Sequence, residues 1–345
     1  YPTATKNDTV HVGLETLRRV RRTVKLPLIA IGGIDRDRAD EVLAAGADGV
    51  AVISAVMNDP APALAAREIA LLFNRRADRP RGHVLIVAGS DSGGGAGIQA
   101  DLKTVTLLGS YGSTAITALT AQNTCGVQGI QPVPADFVAK QIETVASDLP
   151  PDVVKTGMLF SADIVGRVAE ALEYHGWMAV VDPVMVAKGG SRLLEPDAVA
   201  ALRSLLLPFT YLLAPNISEA ETLTGMTIRG EGAMAEAARR LQDMGARNVL
   251  LKGGHIPGEP VDLLLDGKEL KRFPGPRVET SSSHGTGCSL ASAVASLLAQ
   301  GEPLPRAVDR AKTFITEALR QARPMGSGHG PVNHWAGAQA VNRER

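Results

Sequence analysis

Cys288 lies in SSSHGTGCSL, residues 281 to 290, where hydroxyl residues and two glycines precede a run of small apolar residues. The pattern predicts that Gly285, Thr286, Gly287 and Cys288 open a helix. A helix start carries unpaired N–H groups and a partial positive charge, so these four residues can present donors to an anion. Glycine lets the backbone itself touch the ligand, while Ser281, Ser282 or Ser283 can satisfy neighbouring groups. At such a position a thiol pKa is expected to fall below about 8.5, and the thiolate could act as a base. A buried cysteine is more often inert packing, and Cys125 reads that way.

A second stretch, Gly89-Ser-Asp-Ser-Gly-Gly-Gly-Ala-Gly97, follows an apolar strand and precedes a helix. That is where a phosphate-cradling loop is expected, although a tight turn would look the same. GxxxxGK[ST] is absent from the sequence, which removes the Walker reading. Gly95-x-Gly97-x-x-Ala100 imitates a dinucleotide fingerprint, yet the acidic residue expected about twenty positions on is missing. Gln122 stands there instead. Its amide both donates and accepts, which suits an aminopyrimidine edge better than a ribose diol.

The elements that must position these residues alternate in type. Strands are predicted near 84–88, 113–119, 152–156, 178–182, 210–214 and 247–252, with amphipathic helices between them. The pattern predicts an α/β fold, a mainly parallel sheet flanked by helices. VDLLLDGKELKRF predicts a hairpin turning at Asp266-Gly267, followed by helices near 286–300 and 303–322. Ahead of this region, NRRADRPRG at 74–82 reads as a linker. Residues 1–73 contain LPLIAIGGI, a helix from about Asp37 to Ala45, and DGVAVISA. Two β-α units cannot close a core, so they read either as a small accessory lobe or as the tail of a barrel.

Composition sets the outer limits. The 345 residues are 45% hydrophobic, enough for a large core and about two domains. With 36 basic and 36 acidic residues there is no bulk field for nucleic acid or an anionic membrane, which favours small-molecule partners. Two cysteines exclude a disulfide framework, and no signal peptide or long apolar run stands out, so the cytoplasm is the expected compartment. Residue 1 is a tyrosine, which suggests a start inside a longer chain.

YPTATK, IAIGGI and GVAVISA, in this order, resemble the C-terminal third of thiamine-phosphate synthase, a (β/α)8 barrel. The resemblance implies that Thr3, Ala4 and Thr5 touch a thiazole phosphate and Lys6 a pyrimidine diphosphate. It also implies that Gly33, Ile53 and Ser54 hold a phosphate group beyond the last two strands. The family's upstream parts, including its acidic magnesium ligands, are missing, so synthase activity is expected only of a longer, bifunctional parent.

Residues 83–334 resemble hydroxymethylpyrimidine kinase/phosphomethylpyrimidine kinase, of ribokinase-like fold, leaving 335–345 as a tail. The resemblance rests on GSDSGGGAGIQADLKT, ALTAQNTCGVQ, KTGML, DPVMVAKGG, APNISEAE, LLKGGH, SSSHGTGC and GHGPVNH in the family's order. It implies phosphorylation by MgATP of 4-amino-5-hydroxymethyl-2-methylpyrimidine, then of its monophosphate, within a homodimer. Gln122 would pair with the pyrimidine, and Gly89, Asp101 and Met158 would line its pocket. Asp182 and Glu219 would serve Mg2+, directly or through water, with Asn216 beside them. Lys188 and Lys252 would offset phosphate charge. Cys288 takes the place of the aspartate that sugar kinases carry in G-x-G-D, which implies a base for the first step. Plainer readings exist for several of these residues. Asp101 could be a helix-dipole partner, Lys252 a solvated charge and Met158 core filler. Two rival functions are a pyridoxal kinase on the same fold and a non-catalytic pyrimidine-binding module.

Overall fold

The computed structural model describes residues 1, 12–76, 82–187, 189–190, 192–254 and 259–343, in two compact units, Tyr1–Arg76 and Ala77–Arg345. Thr3, Ala4, Thr5, Lys6, Lys188 and most of the expected linker lie outside the described residues.

In the first unit, strands β1 (Ile29–Ile31) and β2 (Gly49–Ala51) pair in parallel. The helix between them, Arg36–Ala44, starts one residue earlier than expected because Asp35 caps it, its Oδ1 accepting from the Arg38 N–H at 3.0 Å. Ile34, Val42, Leu43, Ile69 and Leu72 form a small core. Ile29 and Ile31 remain 62% and 70% exposed, as strands of a sheet without its other neighbours would be.

The second unit is built on nine strands: β3 (His83–Asp91), β4 (Tyr111–Asn123), β5 (Gly126–Pro132), β6 (Val153–Thr156), β7 (Met178–Val181), β8 (Leu212–Leu213), β9 (Asn248–Leu251), β10 (Val261–Asp266) and β11 (Glu269–Pro274). Their order is β11-β10-β9-β8-β7-β6-β3-β4-β5. From β4 to β9 the neighbours are parallel, and both edges are antiparallel hairpins.

Parallel strands buried on both faces favour apolar side chains, and VVKT and MAVV are buried at every position, with Lys155 and Thr156 the polar exceptions. One face packs through Leu85, Val154, Val181 and Val249 onto Val138, Ile164, Leu223 and Leu241 of four helices. On the other face lies the helix Thr286–Ala299, buried from Ser289 onward and packed against Gly97–Leu107 and Leu304–Arg320. Small apolar residues all round suit a helix enclosed on every side.

Three expectations need correction. The β10–β11 turn is Gly267-Lys268, not Asp266-Gly267, because Asp266 pairs with Glu269 across the ladder. Gly267 has φ 60°, which gives the glycine-first two-residue turn. Strand β5 was not expected. Its GVQGIQP is polar and glycine-rich, and it is held by its ladder to β4, with only Val127 and Ile130 packing on the cluster around Met158. Residues 335–345 are not a loose tail, since His334–Arg343 is a helix with Ala336, Ala338 and Val341 buried. Arg310 donates to the Val341 carbonyl at 3.2 Å.

Candidate active site

The glycine-rich loop begins where β3 ends, and Asp91 organises it. Its Oδ1 accepts from Gly93 N–H at 2.8 Å; its Oδ2 accepts from Gly95 at 3.0 Å and Ala96 at 2.8 Å and lies 2.9 Å from His284 Nε2. Burial alone would raise this carboxyl, but His284 and the Ala96 and Gly93 N–H groups hold it below the usual range. Asp91 thus folds the loop back onto the HGTGC turn.

Gly285 sits at that contact with φ 82°, and a Cβ there would overlap the Gly95 carbonyl oxygen. Only glycine combines that backbone with that approach. Gly285, Thr286, Gly287 and Cys288 therefore stand together at the start of a 14-residue helix, as expected.

On one side of this helix start is a narrow pocket lined by Gln122, Val127, Ala187, Gly189 and His284, among others. Gly89 and Met158 lie behind its wall. A Cβ on Gly89 would stand 3.0 Å from the Met158 sulfur, and Met158 clusters with Val127 and Ala187. Phe160, beside them, has φ 68°, an uncommon conformation for a non-glycine residue.

On the other side are charges. Lys252 Nζ donates to Asp182 Oδ1 at 2.8 Å, while Asp182 Oδ2 is buried with no hydrogen-bond partner. A Cβ on Gly287 would lie 3.4 Å from Lys252 Nζ and 3.5 Å from Asp182 Oδ2. Glu219 completes a capping box with Asn216: its Oε2 accepts from Asn216 N–H at 2.8 Å, and Asn216 Oδ1 accepts from Glu219 N–H at 3.0 Å. Burial pushes the Glu219 carboxyl up to about 7, with Asp182 adding to the shift and Lys252 opposing it.

Residues 91–333 match the family model for phosphomethylpyrimidine kinase, and residues 1–56 that for thiamine monophosphate synthase. The chain belongs to the phosphomethylpyrimidine kinase family. The thiamine biosynthesis bifunctional protein ThiED of Geobacter sulfurreducens is 60% identical over 99% of this chain and 70% of its own length. The hydroxymethylpyrimidine/phosphomethylpyrimidine kinase of Bacillus subtilis is 48% identical over 73% of this chain and 94% of its own. Among solved structures, phosphomethylpyrimidine kinase of Clostridium difficile is 42% identical, with TM-score 0.62 over 69% of this chain and 99% of that one. A pyridoxal kinase from Staphylococcus aureus, in complex with AMP-PCP and pyridoxal, is 36% identical, with TM-score 0.68 over 74% of this chain and 94% of that one. The protein is thus a phosphotransferase of ribokinase-like fold, preceded by a synthase segment.

Several expectations for this kinase change, beginning with Gly89 and Met158, which stand behind the pocket wall rather than lining it. Asp101 does not line the pocket. It is fully buried, Lys155 Nζ donates to its two oxygens at 2.9 and 2.8 Å, and Ser292 donates to Oδ1 at 2.8 Å. Burial raises the Asp101 carboxyl against the pull of Lys155, and Asp101, then Cys288 and Asp182, hold Lys155 above the usual lysine range despite burial.

The Cys288 thiol is not lowered either. Burial pushes it up to about 12 against the pull of Lys155, and the Asp101 and Asp182 carboxylates push the same way. One turn of helix dipole is the weaker influence here. Lys252 is no solvated charge: Asp182 and Glu219 hold it above the usual range despite burial.

Sequence reasoning missed Asp91, His284 and Lys155 as site residues. All three stand inside the family's motifs, and a charged or imidazole side chain within two residues of a glycine was the available signal.

In the synthase segment, Gly33 (φ 59°) follows β1, and Ile53 and Ser54 follow β2, at the ends of two paired parallel strands.

Proposed function

We propose that the kinase transfers the terminal phosphoryl group of ATP to 4-amino-5-hydroxymethyl-2-methylpyrimidine and then to its monophosphate. The observation that carries this reading is the Gly285–Cys288 helix start, flanked by the Gln122 pocket on one side and by Asp182 and Lys252 on the other. Acceptor and nucleotide can meet across it, with backbone N–H groups facing the charge that moves between them.

The Asp182 and Glu219 oxygens suit Mg2+, a hard cation usually held by one or two carboxylates together with substrate phosphates. The unpartnered Asp182 Oδ2 supports that fit. Among the described residues there is no cluster of three or more His, Cys, Asp or Glu that would hold an ion without the nucleotide. When bound, the metal would neutralise phosphate charge. Lys252, and Lys188 by family resemblance, would offset the remainder.

Cys288 keeps its proposed role as proton acceptor by position. Burial pushes its thiol up to about 12, so the base form is reached only after the thiol proton has passed to solvent. The second transfer starts from an oxygen that is already anionic and needs no base.

The rival reading, pyridoxal phosphorylation, draws on the fold it shares with the S. aureus pyridoxal kinase. Gln122 and Met158 favour the pyrimidine. Direct comparison of the two alcohols in a coupled ADP-release assay with MgATP decides the matter, and faster turnover of pyridoxal would overturn the proposal. Binding without ADP release would support a non-catalytic module instead.

A homodimer and a cytoplasmic location complete the reading. No helix among the described residues is long and apolar enough to cross a membrane. Gly33, Ile53 and Ser54 would hold a phosphate only within a complete barrel.

A further inference from the structure

His284 touches both the loop organiser and the expected ring-binding amide. Its Nε2 is 2.9 Å from Asp91 Oδ2 and 3.2 Å from the Gln122 amide atom placed as Nε2. The atom placed as Gln122 Oε1 is 3.2 Å from Thr120 Oγ1, whose single hydrogen can go either to it or, over a shorter 3.0 Å, to the Ser90 carbonyl.

These contacts determine which atom is which. Asp91, ionised and already accepting three backbone N–H groups, can only accept, so His284 Nε2 must carry a hydrogen. A protonated Nε2 has no lone pair to accept an amide N–H, so the Gln122 atom beside it must be the carbonyl oxygen, sharing the hydrogen that Asp91 holds. Its amide nitrogen faces Thr120 Oγ1, which is free to accept because its own hydrogen goes to Ser90. Every donor in the chain finds an acceptor in this arrangement. With the amide as first placed, Nε2 toward His284, two donors face each other there, so the hydrogen bonds require the amide to be turned over.

We infer that His284, anchored by Asp91, is a positioning residue that fixes the polarity of the Gln122 amide and through it the direction in which the substrate ring faces. This rests on the pyrimidine reading above. In a 4-amino-5-hydroxymethylpyrimidine, ring N3, the 4-amino group and the 5-hydroxymethyl group follow one another around the ring. An amide pairs with the first two by donating to N3 and accepting from the amine. The hydroxymethyl group therefore lies on the side of the amide oxygen. His284 holds that oxygen next to itself, one residue from Gly285, so the alcohol faces the helix start where Cys288 stands. An amide with Nε2 toward His284 would turn the alcohol toward Thr120, away from the phosphoryl donor. Neither His284 nor Asp91 needs to touch the reacting atoms.

The test is His284→Phe, which keeps a planar ring without the N–H, with His284→Gln as the variant that restores a donor. Each is assayed with the 4-amino alcohol and with the analogue lacking the amino group. Since the ratio of the two kcat/KM values is taken on one preparation, any misfolded fraction cancels.

In His284→Phe the preference for the amino compound is expected to fall by roughly tenfold or more. Its kcat on that compound is expected to fall about 100-fold, the scale of a misplaced acceptor. His284→Gln should recover part of both. A wild-type ratio in His284→Phe would overturn the inference. Failure of the wild-type enzyme to phosphorylate the amino compound at all would instead overturn the pyrimidine reading, a separate result.

Discussion

At the scale of single residues, Cys288 shows how enclosure can outweigh a helix dipole. The sequence places a thiol in the first turn of a helix, and on that ground a lowered pKa is expected. Nothing in SSSHGTGC reveals that Asp101 and Asp182, 187 and 106 positions away, share its surroundings. With Cys125 replaced by serine, thiolate absorbance of the substrate-free enzyme should stay absent below about pH 10. A titration near pH 8 would contradict this account of burial. Cys288→Ala should reduce phosphorylation of the alcohol by about two to four orders of magnitude, the usual range for losing a general base, and that of the monophosphate much less. Equal losses in steady-state assays of the two steps would remove the base role.

At the scale of elements, legibility followed the source of each element's stability. Apolar runs such as HVLIVAG and MAVV were legible because a parallel sheet buries both faces of its strands. Strand β5 was not, since its stabilising bonds run to β4 and its own residues carry no period. The final helix was hidden for a different reason: GHGPVNHWAGAQAVNRER reads as a glycine-rich end until Phe314 and Arg310 are seen beneath it. His334 begins that helix, buried, with its Nε2 3.0 Å from Ser289 Oγ. Burial, with Lys103 adding to it, lowers this imidazole to about 4. An unfolded histidine near 6.5 binds a proton that the folded one refuses, so stability is full above about pH 6.5 and declines as pH falls toward 4. The loss is at most about 3 kcal/mol. Melting temperatures of wild type and His334→Gln, compared from pH 7 to 4, should show a shallower decline in the variant. Parallel curves would mean His334 is not the titrating group.

At the scale of the whole molecule, the division into a kinase and a synthase segment was legible from motif order, because GSDSGGGAG and HGTGC keep their sequence context even where their contacts cannot be foreseen. The meeting of these two segments, 190 positions apart, was less accessible. It depends on Gly285 accepting the Gly95 carbonyl against its backbone and on Asp91 reaching His284. Every described residue assigned to the kinase site belongs to the Ala77–Arg345 unit. A chain lacking residues 1–76 should therefore keep wild-type kcat and KM for the pyrimidine alcohol, and loss of either would show that the synthase segment contributes to the kinase. The proposed function places acceptor and nucleotide together at the Gly285–Cys288 helix start. A crystal structure of the ternary complex, with the pyrimidine alcohol, Mg2+ and a non-hydrolysable ATP analogue, tests it most directly. The terminal phosphate is expected within hydrogen-bond distance of the Gly285–Cys288 backbone N–H groups, with the hydroxymethyl oxygen facing it. A terminal phosphate bound elsewhere, or an alcohol turned toward Thr120, would contradict it.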